Sequence, residues 1–289
     1  MLGSASLSCW PMDARTFFGL ERVDETRWRL EVVPALTSGT GALFGGCGLG
    51  ASIDVMEELS GRPCIWATAQ FLSFARPPSV LELDVKEVVR GHQMSQARVI
   101  AHVGDQEILT VVGAFGKRPL PLSGQWSVKP DVPPPDASVP RPAQHRHQGR
   151  IHDRLESRMA SARPFWELKG EQGSGNAALW VRLPEVLEMS AGALAIIGDF
   201  VPFGIGQALG ERAGGNSLDN TLRVAHRVPT EWVLADVRVH AVADGFGHGL
   251  VHLWAEDGRL LGTASQSTIV RAWRGEQPLT ELEGDLEAR

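Results

Sequence analysis

The sequence predicts an α+β protein made of two similar units, each an antiparallel sheet wrapped on one central helix. At 289 residues the chain is longer than one average domain. In each half, one helix-like segment is followed by several strand-like runs with short turns between them. The later parts of the two halves also share a pattern, with about 152 residues separating Pro77 from Pro229. This repetition indicates one supersecondary unit used twice, giving a pseudo-symmetric whole.

The first unit is predicted to occupy residues 1–116. Residues 17–33 are typical of a strand after a short apolar start, and residues 39–50 form a glycine-rich turn that opens into a helix at 51–61. Four further strand-like runs follow the helix, at 64–74, 80–90, 94–104 and 107–115. Runs of this length, joined by short turns, favour an antiparallel sheet.

A proline-rich segment at 117–150 separates the two units. It holds eight of the eighteen prolines in a polar context, which predicts an extended interdomain linker. His145 and His147 lie one residue apart there. In such a stretch they indicate a solvated loop rather than a pair of metal ligands.

The second unit is predicted to occupy residues 151–289 and to repeat the order of the first. A strand at 177–184 precedes an apolar helix at about 190–210. The later strands are predicted at 217–226, 232–243, 248–256 and 259–273. The apolar segment is as long as a membrane span, but Asp199, Pro202 and several glycines interrupt it. We therefore expect a buried core helix and no membrane span.

Composition narrows the class of protein. Hydrophobic residues make up 43% and charged residues 21% of the chain, as in ordinary soluble proteins. A net charge of −6 argues against a nucleic-acid or anionic-membrane partner. Three cysteines without CxxC spacing favour neither a disulfide scaffold nor a zinc site. Together with an N-terminus unlike a secretory signal, they predict a cytoplasmic protein.

Two polar residues stand out because their surroundings are apolar. Asp199 lies in the apolar helix, where burial would raise its pKa unless it caps the helix end before Pro202. The pattern alone leaves both readings open. Gln266 shares its strand face with small and apolar residues, so its amide is predicted to point inward. Ser217, by contrast, is typical of a solvated strand start when taken alone.

Four segments resemble the acyl-CoA thioesterase II family, whose members are double-hotdog thioesterases. They are LFGGCGLGAS at 43–52, FLSFARPPSVLELDVKEVVRGHQMSQARV at 71–99, NSLDNTLRVAH at 216–226 and DGRLLGTASQSTIVR at 257–271. Each motif is short, but their order and spacing together are specific, and the likeness extends over about 17–273. The chain departs from the family pattern at two positions, with Ser217 where many relatives have Thr and Asn220 where many have His.

The resemblance implies a double hotdog and hydrolysis of an acyl-CoA thioester to a free acid and CoA. The water that attacks the thioester would be activated by Asp199, Ser217 and Gln266, with Asp199 as general base. The glycine-rich helix entry at Gly45 and Gly46 would bind substrate. The family's chemistry implies no cofactor and no metal, and its paired sheets imply a homo-oligomer.

Two other functions remain open at this stage. A hotdog hydratase or dehydratase would use an Asp/His pair, to which His226, His240 or His248 would contribute. A non-catalytic acyl-CoA-binding protein would keep the fold without turnover. The Gln on the last strand favours hydrolysis.

The first unit is predicted to carry no equivalent catalytic set. At the offset that relates the two units, Cys47 and Ala114 stand where the second unit has Asp199 and Gln266. Asp54 lies on the corresponding helix, where a solvated face explains it. We therefore expect one active site per chain.

Overall fold

The computed structural model describes residues 13–144, 147–185 and 189–272. The α-helices are α1 (Ala14–Phe18), α2 (Gly45–Ser60), α3 (Ile151–Arg154), α4 (Ala191–Ile197) and α5 (Val201–Leu209). Short 3-10 helices occupy Pro34–Leu36, Pro135–Ala137 and Phe165–Glu167. The first-half strands are β1 (Leu20–Arg22), β2 (Arg27–Val32), β3 (Cys64–Phe71), β4 (Ser79–Arg90), β5 (Met94–Val103) and β6 (Gln106–Gly116). The remaining strands are β7 (Val139–Pro140), β8 (Glu156–Ser161), β9 (Asn176–Arg182), β10 (Ala213–Ser217), β11 (Asp219–Val224), β12 (Val233–Ala243), β13 (Phe246–Ala255) and β14 (Leu260–Ala272).

The strands form one continuous antiparallel sheet rather than the two separate sheets that were expected. Their order is β1-β2-β4-β5-β6-β3-β11-β14-β13-β12-β9-β8-β7, with β10 paired to β14. The halves join where β3 pairs with β11, with Thr68 opposite Thr221 and their hydroxyls 2.6 Å apart. Because an unpaired edge exposes backbone donors and acceptors, joining the two inner edges satisfies both strands at once.

Helices α2 and α4 cross in the core at unusually short range. A Cβ on Gly46 would lie 2.7 Å from the carbonyl oxygen of Ala195, and one on Gly50 would lie 2.7 Å from that of Gly192. Glycine is therefore required at the crossing. The expected turn at 39–50 is wrong beyond residue 44, because α2 begins at Gly45. Close packing between helices outweighs the poor helix propensity of glycine here.

The apolar segment 190–210 is two helices, α4 and α5, and not the single helix expected. α4 ends at its C-cap Gly198, and α5 begins at Val201 with Pro202 in its first turn. Proline is tolerated in a first turn but not in a helix interior, which explains the break. Ala191–Leu209 has the length and composition of a membrane span, but most of it is buried inside the protein. It belongs to the hydrophobic core.

The proline-rich segment lies against the second half of the sheet. The indole Nε1 of Trp180 donates to the carbonyl of Pro133 at 2.8 Å, and Lys129 lies over the Trp180 ring. Gln125 accepts from the backbone N–H of Leu260 at 2.7 Å. The segment thus lies beside a buried tryptophan cluster that includes Trp180, Trp232 and Trp254. Its end contributes β7 to the sheet.

Other differences from the sequence expectation are local. The expected strand at 17–33 is divided into α1, β1 and β2, and β8 was not predicted. His147 stacks on the ring of His152 at 4.4 Å between centroids, whereas His145 lies outside the described residues.

The helix crossing is tested by comparing Gly50→Ala with Gly48→Ala. Both residues are buried in α2, so both variants gain about 1 kcal/mol of helix propensity. The Cβ at Gly48 meets the ends of two leucine side chains, Leu109 at 3.3 Å and Leu43 at 3.6 Å, and no backbone atom is among its nearest neighbours. We expect Gly48→Ala to be neutral or slightly stabilising, and Gly50→Ala to lower the free energy of unfolding by about 1–3 kcal/mol. Urea denaturation checks this, and equal stabilities would show that the crossing tolerates a methyl group.

Candidate active site

The carboxylate of Asp199 lies in the break between α4 and α5. The residue is only 6% exposed. Its Oδ2 accepts the backbone N–H of Gly46 at 2.7 Å. Gly46 is the second residue of α2, so the carboxylate lies at the positive end of that helix. Two segments 153 residues apart in sequence therefore meet at this contact.

Gln266 holds the other oxygen of this carboxylate. Its side chain is buried on β14, and its Nε2 donates to Oδ1 of Asp199 and, at 3.0 Å, to Oγ of Ser217. Its Oε1 accepts the backbone N–H of Val201, the first residue of α5, at 3.1 Å. The inward direction predicted for this amide is confirmed. With its oxygen and nitrogen both engaged, the amide is held in one orientation.

Ser217 reaches the same cluster through a break in its strand. It is the last residue of β10 and lies opposite Thr268, whereas Thr221 on β11 lies opposite Ser265. The exposed Leu218 lies between the two strands and resets the alternation of side chains. The alternation along 217–226, taken as one strand, predicts a solvated Ser217, and this prediction is wrong. The break turns its hydroxyl toward Gln266 instead.

Burial raises the pKa of Asp199 to about 6. The hydrogen bonds from Gln266 and Gly46 act in the opposite sense and limit the rise. A carboxyl group with this pKa is ionised at neutral pH yet holds a proton well in mildly acidic conditions. That range suits a general base.

A cavity of about 940 Å³ opens beside this cluster. Asp199, Ser217 and Gly45 all contribute to its wall. Both halves of the chain line it, with Phe44 and Phe71 from the first half and Phe203 from the second among its apolar residues. The volume lies at the upper end of the range for ligand pockets. The three side chains predicted from the sequence are thus brought together, with Asp199 and Ser217 at the wall of one large, partly apolar cavity and Gln266 bonded to both of them outside the lining.

Comparison with known proteins assigns the family. The model of the acyl-CoA thioesterase C-terminal domain matches residues 131–270. A crystal structure of a protein assigned as a thioesterase, from Novosphingobium aromaticivorans, is 35% identical with a TM-score of 0.77, over 86% of this chain and 97% of that one. The chain belongs to the acyl-CoA thioesterase II family. It is a thioester hydrolase.

More distant structures agree on the fold of this thioesterase. A hotdog-fold protein from Alicyclobacillus acidocaldarius is 17% identical with a TM-score of 0.76, over 90% of this chain and 98% of that one. Acyl-CoA thioesterase II from Mycobacterium marinum is 20% identical with a TM-score of 0.70, over 91% and 99%. No curated protein matches the chain.

Two histidines among the described residues line the cavity of the thioesterase, His147 and His152, and neither is one of the three that the sequence offered for an Asp/His pair. His152 lines the cavity, and its ring lies 5.2 Å from that of Phe44 and 6.2 Å from that of Phe200. Phe44 directly precedes Gly45, and Phe200 directly follows Asp199. His226, His240 and His248 are not in the cavity wall. No periodicity in the sequence distinguishes His152, because α3 is a single turn.

The first half of the thioesterase has no comparable carboxylate at the matching place. Thr68 and Thr221 lie opposite each other and 153 residues apart, and the same offset from Asp199 leads to Gly46. The predicted match, Cys47, is one residue further on, and burial raises the pKa of its thiol. Asp54 is half-buried rather than solvated, and burial raises its pKa well above the usual value. Among the residues that the structure describes, no group of His, Cys, Asp or Glu could hold a metal ion.

The buried carboxylate of Asp199 makes the stability of the thioesterase depend on pH. Its folded-state pKa of about 6 lies above the ordinary value of 3.8. Between about pH 4 and pH 6 the folded state therefore keeps a proton that the unfolded state has lost. The free energy of unfolding should fall as pH rises through this window, by about 3 kcal/mol, and then stay level.

Asp199→Asn removes this titration and leaves every other group unchanged. Urea unfolding of both proteins at pH 4, 5, 6 and 7 should give a wild-type stability that falls relative to the variant. The free energy of unfolding of the variant will differ from that of the wild type at every pH, because an amide cannot accept both hydrogen bonds. The quantity to compare is therefore how the free energy of unfolding of each protein changes with pH. Parallel curves would mean that Asp199 titrates normally.

Proposed function

We propose that this thioesterase hydrolyses acyl-CoA by direct attack of a water molecule that Asp199 activates. The observation that carries the proposal is the state of this carboxylate. It is buried at the wall of a large cavity, it is fixed by Gln266 and Gly46, and its pKa is about 6. Such a group accepts a proton from water at neutral pH, and no protein nucleophile is needed.

Ser217 and Gln266 orient the reacting water. The hydroxyl of Ser217 accepts a hydrogen bond from Gln266, which leaves its own proton to donate into the cavity. Because Gln266 also holds Asp199 and the first turn of α5, the three groups keep one geometry. Preorganised polar groups of this kind need no rearrangement when charge develops in the transition state.

The first turn of α2 supplies the donor for the developing oxyanion. Gly45 is the first residue of the helix, so its N–H has no acceptor within the helix, and the residue lines the cavity. The positive end of a helix stabilises negative charge at this position. A side chain is excluded here, because a Cβ on Gly45 would lie 2.9 Å from both Asp199 Oδ2 and the Phe71 ring.

The same proposal covers the whole chain. We take it as a double hotdog, with an N-terminal hotdog at 1–116, a linker at 117–150 and a C-terminal hotdog at 151–289 that carries the catalytic residues. The β3–β11 pairing and the α2–α4 crossing support this arrangement. One active site per chain, a cytoplasmic location and a homo-oligomer complete it.

Replacing the general base should abolish most of the activity. We expect Asp199→Asn to lower kcat for acyl-CoA hydrolysis by at least about a hundredfold, the effect of losing a general base. In the wild type, kcat should rise with pH through about 6 and then level off, as Asp199 becomes ionised. Thiol release from short, medium, long and aromatic acyl-CoAs measures both.

Asp54→Asn is the matched control. Asp54 also has a raised pKa but does not line the cavity, so this variant should keep the wild-type kcat. Full activity in Asp199→Asn would refute the proposed base. Release of no thiol from any substrate, with a change in enoyl absorbance, would point to a hydratase instead.

The hydroxyl of Ser217 is tested by a pair of substitutions. Ser217→Ala removes the donor and should lower kcat by at least about tenfold. Ser217→Thr keeps the hydroxyl and should retain most of the activity. Thiol release under saturating substrate separates the two, and equal losses would indicate that the position matters only for packing.

A further inference from the structure

We propose that Arg76 and Arg150 form the subsite for a phosphate at the nucleotide end of CoA. The inference rests on the proposed function and assigns one end of the substrate within the same cavity. It places recognition of the nucleotide beside the loop before α2.

The two guanidinium groups converge on one small gap. Arg76 Nη1 and Arg150 Nη1 each lie 3.4 Å from the point that a Cβ on Gly41 would occupy. Gly41 has a φ of +81°, so the backbone there favours glycine and leaves the gap unfilled. Two like charges are thus held close together, which is unfavourable unless an anion lies between or beside them.

Neither arginine is paired with a carboxylate in the part of the chain that the structure describes. Arg76 donates to the carbonyl oxygen of Thr40 at 2.8 Å, and Arg150 donates to Oγ1 of Thr37 at 2.7 Å. Within the described residues, neither has a carboxylate oxygen within 4.0 Å. Arg29 and Arg154, in contrast, pair with Glu82 and Glu185.

The arginine pair is connected to the catalytic residues. Arg76 and Thr40 line the same cavity as Asp199 and Ser217. Leu43, Phe44, Phe71 and Phe74 line it as well, and Thr40 precedes Gly45 by only five residues. A thioester held at Gly45 can therefore extend its pantetheine arm along this loop. A phosphate at the far end of the arm would meet both guanidinium groups, which suit phosphate geometry.

The charge of the cavity fits an anionic ligand. The chain has a net charge of −6. Among the residues that the structure describes, however, the cavity is lined by one carboxylate, that of Asp199, and by five arginines: Arg76, Arg141, Arg163, Arg212 and Arg271. Of the four besides Arg76, three have partners in the protein. Arg163 donates to the carbonyl oxygen of Gln207, Arg212 lies over Phe165, and Arg141 lies over Phe203. Arg76 also lies over a ring, that of Phe74, but Arg76 and Arg150 converge at Gly41 without a carboxylate partner among the described residues.

The test compares substrates that differ only in their phosphates. Wild type, Arg76→Gln and Arg150→Gln are assayed with acyl-CoA, acyl-3′-dephospho-CoA, acyl-phosphopantetheine and acyl-N-acetylcysteamine, all with the same acyl group. Each substitution should raise KM for acyl-CoA about tenfold and leave kcat nearly unchanged, as expected for a lost charge-assisted hydrogen bond. Hydrolysis of acyl-N-acetylcysteamine, which has no phosphate, should be unaffected.

Arg259→Gln is the control, because Arg259 is exposed, pairs with Asp257 and lies outside the cavity. It should behave as wild type. Acyl-3′-dephospho-CoA distinguishes the 3′-phosphate from the diphosphate. The phosphate that the pair binds is the one whose removal abolishes the difference in KM between wild type and variants. Equal losses on acyl-CoA and acyl-phosphopantetheine would assign the pair to the pantetheine phosphate and overturn the nucleotide assignment. Equal losses on acyl-N-acetylcysteamine, or no loss on any substrate, would overturn the subsite altogether.

Calorimetric titration with CoA tests the subsite through binding affinity, independently of turnover. The wild type should bind CoA about tenfold more tightly than either variant, even if the proposed catalytic mechanism fails. Equal affinities in the three proteins would overturn the subsite while leaving the mechanism standing.

Discussion

The contact between Asp199 and the first turn of α2 is the interaction on which the site depends. A carboxylate that is 6% exposed loses most of its hydration, and this loss must be offset by donors that face it. One donor, Gly46 N–H, comes from the first half of the chain, and the other, Gln266, comes from the last strand. The site therefore exists only when the two halves are docked, and the chemistry and the fold share one constraint.

The glycine-rich start of α2 allows this contact but lowers the stability of the helix itself. Each glycine in a helix interior costs about 1 kcal/mol relative to alanine. Gly46 and Gly50 nevertheless let α2 approach α4 closely enough to bring the start of α2 to Asp199. Only a backbone without side chains offers both the close crossing and open N–H groups at the helix start. The same residues thus determine packing and present the donors that the proposed mechanism needs.

Sequence reasoning succeeded where a pattern is local and failed where it depends on packing between distant segments. The alternation along β14 places Gln266 inward, and strands β12 to β14 begin and end close to their predicted limits. The helix start at Gly45, the break before Val201 and the inward turn of Ser217 were missed. Each of these runs against a local preference, and each is explained by a partner elsewhere in the chain. The family resemblance placed Ser217 in the site where its own strand pattern did not.

The sequence also does not show where packing brings charged groups together. The positions of these groups in the structure indicate how the two halves of the chain divide their tasks. A net charge of −6 says nothing about a local basic site, because Arg76 and Arg150 converge only through the loop at Gly41. On the interpretation developed above, the first half presents backbone N–H groups and the phosphate subsite, while the second half supplies carboxylate, amide and hydroxyl. Gly46 stands at the place that corresponds to Asp199, and a Cβ there would lie 2.7 Å from the carbonyl oxygen of Ala195, so a carboxylate side chain does not fit beside α4. On this interpretation, the helix crossing that brings the Gly46 N–H to Asp199 also leaves no room for a second, symmetric carboxylate.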